Sequence, residues 1–225
     1  MTSIGNDIVD LTSPDSIGKS LDRRFIARVF TPEEQERIDR SESPDATLWM
    51  LWAAKEAAFK AVSKLKPGLS FIHRAYAVTS TPNEESQKAS SIPLKQTNGD
   101  AVSIQERGVV QTPAGPVDTF FTLSSCRVHC VAAVRSGNGG DPAATPVHVL
   151  EERRDGPFDP SAAVRRAAIH HLASVIKASP YYIDIRRDET THGYGAPRVF
   201  IEGKRTDIDI SLSHDGKYIA FAVHY

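Results

Sequence analysis

Ile210-Ser211-Leu212-Ser213-His214, continued by Lys217 to Val223, lines up with Phe121-Thr122-Leu123-Ser124-Ser125, continued by Val128 to Val134, at a gapless offset of 89 residues. Each copy reads as a strand, a short turn and an alanine-rich strand ending in Ala-Val. Hairpin patterns recur in unrelated chains, so chance similarity stays open on these residues alone. The flanking order favours duplication, because each half runs strand, helix, then several strands. The expectation is an α+β fold of two related halves packed together, each an antiparallel sheet on a long helix.

Between the copies, Ser136-Gly137-Asn138-Gly139-Gly140-Asp141-Pro142 is the strongest linker signal. It divides the chain into an N-terminal half (1–136), a linker (137–146) and a C-terminal half (147–225). In the first half, Ile4 to Leu11 reads as a strand with Gly5, Asn6 and Asp7 embedded in it. Thr31-Pro32-Glu33-Glu34 starts a helix to about Asp39, with Thr as N-cap and acids against the positive end of the dipole. Ser43 or Asp45 caps a long helix from Ala46 to Lys64. Ile72 to Thr79 reads as a strand, residues 80–100 as a solvated loop, and three strands follow near 101–110, 117–124 and 127–135. The second half reads as a strand (147–152), a helix (161–178) and strands near 182–187, 198–202, 208–213 and 217–224.

Composition narrows the function classes. The 225 residues are 40% hydrophobic and 24% charged, enough for a substantial core, and 27 Lys plus Arg against 28 Asp plus Glu leave a net charge of −1. A general nucleic-acid binder would need a clear basic excess. The start, MTSIGNDIVDL, has no basic and apolar leader pattern, and no run approaches the roughly 20 apolar residues of a membrane span. Cys126 and Cys130 cannot build a disulfide framework. These features read as a cytoplasmic protein that engages neither membrane nor nucleic acid.

Three places carry candidate chemistry. On a helical wheel Leu48, Leu51, Trp52, Phe59 and Val62 form a bulky stripe with Lys55 in its middle and Glu56 at its edge. Ala53, Ala54, Ala57, Ala58 and Ala61 cover the opposite side. A carboxylate on so covered a helix needs a partner or a cation. Either an internal Lys55–Glu56 arrangement or an ordinary Glu56–Lys60 helix pair would supply one. Asp7 inside an apolar strand poses the same question, with a turn or capping role as the plainer answer. Two inward carboxylates, from a strand and a helix, suit Mg²⁺, which takes few protein ligands and completes its shell with water and phosphate oxygens. Ser213 and His214 close a strand in a polar turn, which serves equally as a plain turn or as a phosphate contact. No G-x-S-x-G elbow, Walker loop or G-x-G-x-x-G is present.

Gly5-Asn6-Asp7-Ile8-Val9-Asp10, the block Trp52-Ala53-Ala54-Lys55-Glu56-Ala57-Ala58-Phe59-Lys60, and Ser211-Leu212-Ser213-His214 together resemble the 4′-phosphopantetheinyl transferase superfamily. Arg24-Phe25-Ile26-Ala27-Arg28-Val29-Phe30-Thr31-Pro32-Glu33-Glu34 is similar to its holo-acyl-carrier-protein synthase branch. The resemblance implies a pseudo-dimeric form of that fold. It implies Mg²⁺-dependent transfer of phosphopantetheine from coenzyme A to a carrier-protein serine, releasing adenosine 3′,5′-bisphosphate. Asp7 and Glu56 would ligate the metal, with Glu56 as candidate base. Lys60 would meet a phosphate oxygen, and Ser213 and His214 the nucleotide. Gly195-Ala196-Pro197-Arg198 resembles the family's turn near the coenzyme. Arg23, Arg24 and Arg28, with Phe25 between them, would dock an acyl or peptidyl carrier protein.

The motifs run in the order of small, trimeric members on a chain of the large, fused size. Val9 stands where large members carry an acid. Val147 to Glu151 lacks a Gly-x-Asp, and Ala163 to Ala167 lacks a Lys-Glu pair. The expectation is one active site at the junction of the halves, in a monomer. A non-catalytic binding module of the same fold is the alternative.

Overall fold

A computed structural model describes residues 2–80, 95–96, 104–135, 148–190 and 193–225. The glycine-rich linker at 137–146, and nearly all of the loop expected at 80–100, lie outside the described residues. Strand β1 (Thr2–Asp10) is buried along most of its length and pairs antiparallel with β6 (Arg127–Arg135). With β2 (Ala77–Ser80), β4 (Ile104–Thr112) and β5 (Gly115–Leu123) these form a five-stranded sheet in the order β1-β6-β5-β4-β2. The two-residue β3 (Lys95–Gln96) leaves it to pair in parallel with β7 (His148–Arg153), so the sheets are not wholly antiparallel.

Three helices precede β2: α1 (Arg23–Val29), capped by Asp22 on the Phe25 N–H, α2 (Pro32–Arg40) and α3 (Pro44–Leu65). The alanine side of α3 lies fully buried in the core beneath the sheet, and of its bulky stripe Leu48, Leu51 and Val62 are buried in the same core while Trp52 and Phe59 are only partly covered. Small side chains let helix and strand approach closely. A Cβ on Gly5 would collide with the Ala57 carbonyl oxygen and come within 2.7 Å of the Ala61 nitrogen.

The bulky stripe meets the segment before β2, and this explains a misread strand. Residues His73–Ala75 form a 3₁₀ turn, and the strand starts only at Ala77. Lys55 Nζ donates to the carbonyls of His73 and Tyr76 at 3.1 and 2.6 Å, while Phe71 and His73 stack on Phe59 and Trp52. Those carbonyls face the helix instead of a neighbouring strand.

In the second half, β11 (Asp209–Asp215), β12 (Tyr218–His224) and β7 form one sheet in that order, apart from β8 (Ile183–Thr190), β9 (Gly193–Ile201) and β10 (Lys204–Arg205). Helix α4 (Pro160–Ile176) packs Val164, Ala168 and Leu172 against Ile210, Ile219 and Phe221. The gapless offset matches strands but not turns. It sets the tight Gly216-Lys217 turn against Arg127-Val128, two residues beyond the Ser125-Cys126 turn of the first hairpin. Among the described residues, no helix is long and apolar enough to cross a membrane.

The face of β1 turned away from α3 meets the second half, where Ile4, Phe120 and Val131 pack on Ala222, and Ile8 packs on Tyr218 and Ala220. The free edge of β1 runs beside β11 but is bonded to its side chains. The N–H groups of Ile4, Asn6 and Asp10 donate to Asp209 Oδ2 (2.7 Å), Ser211 Oγ (2.9 Å) and Asp215 Oδ2 (2.7 Å). Alternate residues of one strand thus satisfy alternate amides of the other, and a strand edge that would otherwise be exposed is closed.

Candidate active site

Glu56, Lys60 and Lys64 stand one helical turn apart on α3 and form a single row along it. Gly5 brings β1 down onto this helix, and strand alternation turns Asp7 towards it. Lys60 Nζ donates to Asp7 Oδ1 at 2.7 Å and to the Asn6 carbonyl at 3.0 Å. Lys64 Nζ binds the Ile4 carbonyl, Asp209 Oδ1 and the Ile210 carbonyl at 2.7, 2.7 and 2.8 Å, pinning helix, β1 and β11 together. Burial pushes the Lys64 ammonium down and Asp209 opposes that shift.

Glu56 is the unsatisfied member of the row. Burial pushes its carboxyl up to about 7, Lys60 pulls it down and Asp7 pushes it up. It makes no hydrogen bond among the described residues. Two carboxylates that repel each other, one of them lacking a donor, fit a hard divalent cation with oxygen ligands. No group of three or more His, Cys, Asp or Glu able to hold a metal occurs among the described residues, so protein atoms would fill only part of such a shell.

Ser213 and His214 separate. Ser213 is 5% exposed and faces the seam, where its Oγ accepts from Asn6 Nδ2 at 2.8 Å. His214 projects from the opposite face of β11 into solvent. Partial burial, Lys60 and Arg187 lower the His214 pKa, against Asp215 and Asp159, so the imidazole lies within the electrostatic reach of Lys60 on the other half. The structure therefore brings Asp7, Glu56 and Lys60 together with His214 nearby, while Ser213 is already engaged. Gly195-Ala196-Pro197-Arg198 is not a turn. It lies inside β9, with Pro197 opposite Arg187 and Arg198 opposite Arg186, beside a register shift where a proline is tolerated. Arg198 acts electrostatically on Lys64, at the far end of the row.

On α1, Phe25 is half-buried against Phe30, Trp49 and Trp52, while Arg24 and Arg28 are exposed one turn apart. Arg23 diverges from them and pairs with Asp39 at 2.7 Å. Leu21 and Ile17, 78% and 65% exposed, extend the apolar part of this region.

Sequence reasoning missed the partner of Lys55. Its Nζ lies 2.7 Å from Glu34 Oε2, with neither side chain exposed. Glu34 also accepts from the Thr31 and Val78 N–H groups at 2.8 and 2.7 Å. The Thr-x-x-Glu spacing of a capping box was the available signal. Asn6, His129 and Glu151 also went unrecognised: His129 lies 3.1 Å from Asn6 Nδ2 and 2.9 Å from Glu151 Oε1.

Comparison with known proteins bears on this site. A sequence model described as the 4′-phosphopantetheinyl transferase superfamily matches residues 3–111, which include Asp7, Glu56 and Lys60. The chain is similar to the holo-[acyl-carrier-protein] synthase of Dinoroseobacter shibae, at 41% identity over 66 residues, 28% of this chain and 48% of that protein. The enzyme of that description from Jannaschia sp. is 36% identical over 69 residues, 30% of this chain and 46% of its own. That from Cereibacter sphaeroides is 42% identical over 66 residues, 28% and 48% of the two chains. The chain thus spans about half the length of the curated relatives it matches. A crystal structure of Thermotoga maritima holo-[acyl-carrier-protein] synthase aligns with a TM-score of 0.34 and 12% identity, covering 91% of this chain and 86% of that one.

Proposed function

We propose, for a chain whose residues 3–111 match the 4′-phosphopantetheinyl transferase superfamily, that it moves 4′-phosphopantetheine from coenzyme A to a serine hydroxyl of an acyl or peptidyl carrier protein, releasing adenosine 3′,5′-bisphosphate. The observation that carries this reading is the half-buried, hydrogen-bond-poor Glu56 beside the Asp7–Lys60 pair.

Asp7 and Glu56 are the residues that would hold Mg²⁺, whose contribution when bound is to neutralise charge on the pyrophosphate. Lys60, already drawn over Asp7, presents its remaining donor capacity to a phosphate oxygen. Glu56, directly or through a water, accepts the proton of the carrier serine. His214, on the solvent side of β11, contacts the nucleotide part of coenzyme A, and Arg198 lies along the same wall. Ser213, held by Asn6, anchors β11 rather than touching the coenzyme. Arg24 and Arg28 steer an acidic carrier surface towards α1, and half-buried Phe25 backs them with apolar area.

The two halves read as a fused duplication acting as a monomer. The order β1-β6-β5 in one half parallels β7-β12-β11 in the other, although β4 and β2 continue the first sheet while β9 and β8 pair in a sheet of their own. The first supplies the carboxylates and the second His214. Incubation with apo carrier protein, coenzyme A and Mg²⁺ should release adenosine 3′,5′-bisphosphate, and chelation should stop the release. Nucleotide release that persists unchanged with excess chelator would contradict the metal-dependent scheme.

A further inference from the structure

A buried polar chain runs from β7 to the centre of the seam. Arg127 Nε donates to Glu151 Oε2 at 2.6 Å, and His129 Nδ1 lies 2.9 Å from Glu151 Oε1. His129 Nε2 lies 3.1 Å from Asn6 Nδ2, which also donates to Ser213 Oγ at 2.8 Å. The Asn6 N–H donates to Ser211 Oγ, and its carbonyl accepts from Lys60. Asn6 and His129 are 0% and 1% exposed.

Donor and acceptor logic fixes the state of each member. With the Asn6 amide in this orientation its nitrogen cannot accept, so His129 Nε2 does, and the imidazole hydrogen then resides on Nδ1, where the Glu151 carboxylate accepts it. Burial alone would raise the Glu151 carboxyl, but the hydrogen bonds from His129 and Arg127 and the Arg127 charge hold it below the ordinary carboxylate range, so this acceptor stays ionised. Asn6 Oδ1 is buried with no partner among the described residues. Only the two bonds of Nδ2 therefore orient the amide, and a hydrogen on Nε2 in place of its lone pair would favour the reversed amide. Asn6 adjoins Asp7 in sequence, and Ser213 adjoins His214.

We infer that Glu151 and His129 are positioning residues that act through Asn6 to set the separation of Asp7 on one half and His214 on the other. The inference rests on the transferase reading above. Glu151 belongs to neither motif-bearing strand, yet it governs the tautomer on which the Asn6–Ser213 bond depends. The chain selects for the coenzyme, because both positions it aligns face coenzyme A rather than the carrier helix.

Two measurements test it. In Glu151→Ala, KM for coenzyme A should rise about tenfold or more while KM for carrier protein stays within about twofold, the scale seen when residues supporting a binding group are removed. A merely structural role would lower the active fraction, and so kcat, with both KM values unchanged; that outcome would overturn the inference. Nitrogen-15 spectra of His129 in the wild-type chain should show Nδ1 protonated and Nε2 bare. A hydrogen on Nε2 would break the chain at its second link and overturn the inference whatever the kinetics. Failure of the wild type to modify any carrier, with the tautomer as stated, would overturn the functional reading instead.

Discussion

Lys55 and Glu34 form an ion pair at 2.7 Å in which neither side chain reaches solvent, so the two adjacent charges of Lys55-Glu56 have different tasks. Lys55 fastens α2, α3 and the 3₁₀ turn before β2 from within the core. Glu56, one residue on, is left for the site. Removing one partner of a buried pair strands the other charge, so Lys55→Met should destabilise the fold by about 3–5 kcal/mol in urea unfolding. At a temperature where the variant is folded, coenzyme A KM should stay at the wild-type value. A changed KM with unchanged stability would assign Lys55 to the site.

Gly5 sets the distance between the strand that carries Asp7 and the helix that carries Glu56. Its position has no room for a methyl group, because the obstruction is α3 backbone rather than a mobile side chain. Gly5→Ala should cost at least about 1–3 kcal/mol, the usual range for overpacking, and should lower transfer by moving Asp7 from Glu56. Wild-type stability and activity in this variant would show that β1 lies further from α3.

Acid should open the seam at its β11–β12 turn. Burial alone would raise the Asp10 pKa, but Thr12 and Lys217 donate to its carboxylate and the net shift is downward from 3.8. A group with a depressed folded pKa contributes stability that is fully present above its unfolded value and is lost as pH falls towards the folded one. Unfolding free energy should therefore drop below about pH 4, and Asp10→Asn should flatten that part of the profile. An identical acid branch in the variant would remove Asp10 from the account.

Carrier docking should depend on Arg24 and Arg28 more than on Arg23, whose charge is shared with Asp39. Arg24→Glu with Arg28→Glu should raise carrier KM about tenfold at low salt, with a smaller effect as salt screens the encounter. Coenzyme A KM should not move. Arg23→Glu raising carrier KM as far would point to a different docking face.

Much of this was legible in the chain. The position of Asp7 on a strand and of Glu56 and Lys60 on a helix followed from local pattern, because the embedded polar residues interrupt otherwise apolar elements. What could not be read were relationships set by packing. The wheel of α3 shows a bulky and an alanine side but not which meets the sheet, and close approach at Gly5 selected the alanines. Ser213 and His214 are neighbours in sequence and belong to opposite faces, which strand alternation implies but which matters only once β1 is beside β11. Glu34 and Lys55 are 21 residues apart, and Asn6 and Ser213 are 207 apart. No local pattern pairs them. The Gly-x-Pro segment was misread because its glycine and proline, turn-formers in isolation, are accommodated within β9 beside a register shift.

The central claim is that Asp7 and Glu56 carry phosphopantetheine transfer, and the mass of a carrier protein tests it most directly. Apo acyl or peptidyl carrier proteins incubated with the wild-type chain, coenzyme A and Mg²⁺ should gain one phosphopantetheine arm. The same carriers with Glu56→Gln, folded as the wild type is, should gain none. Unchanged carrier mass with the wild type across both carrier classes, or equal modification by Glu56→Gln, would contradict the account.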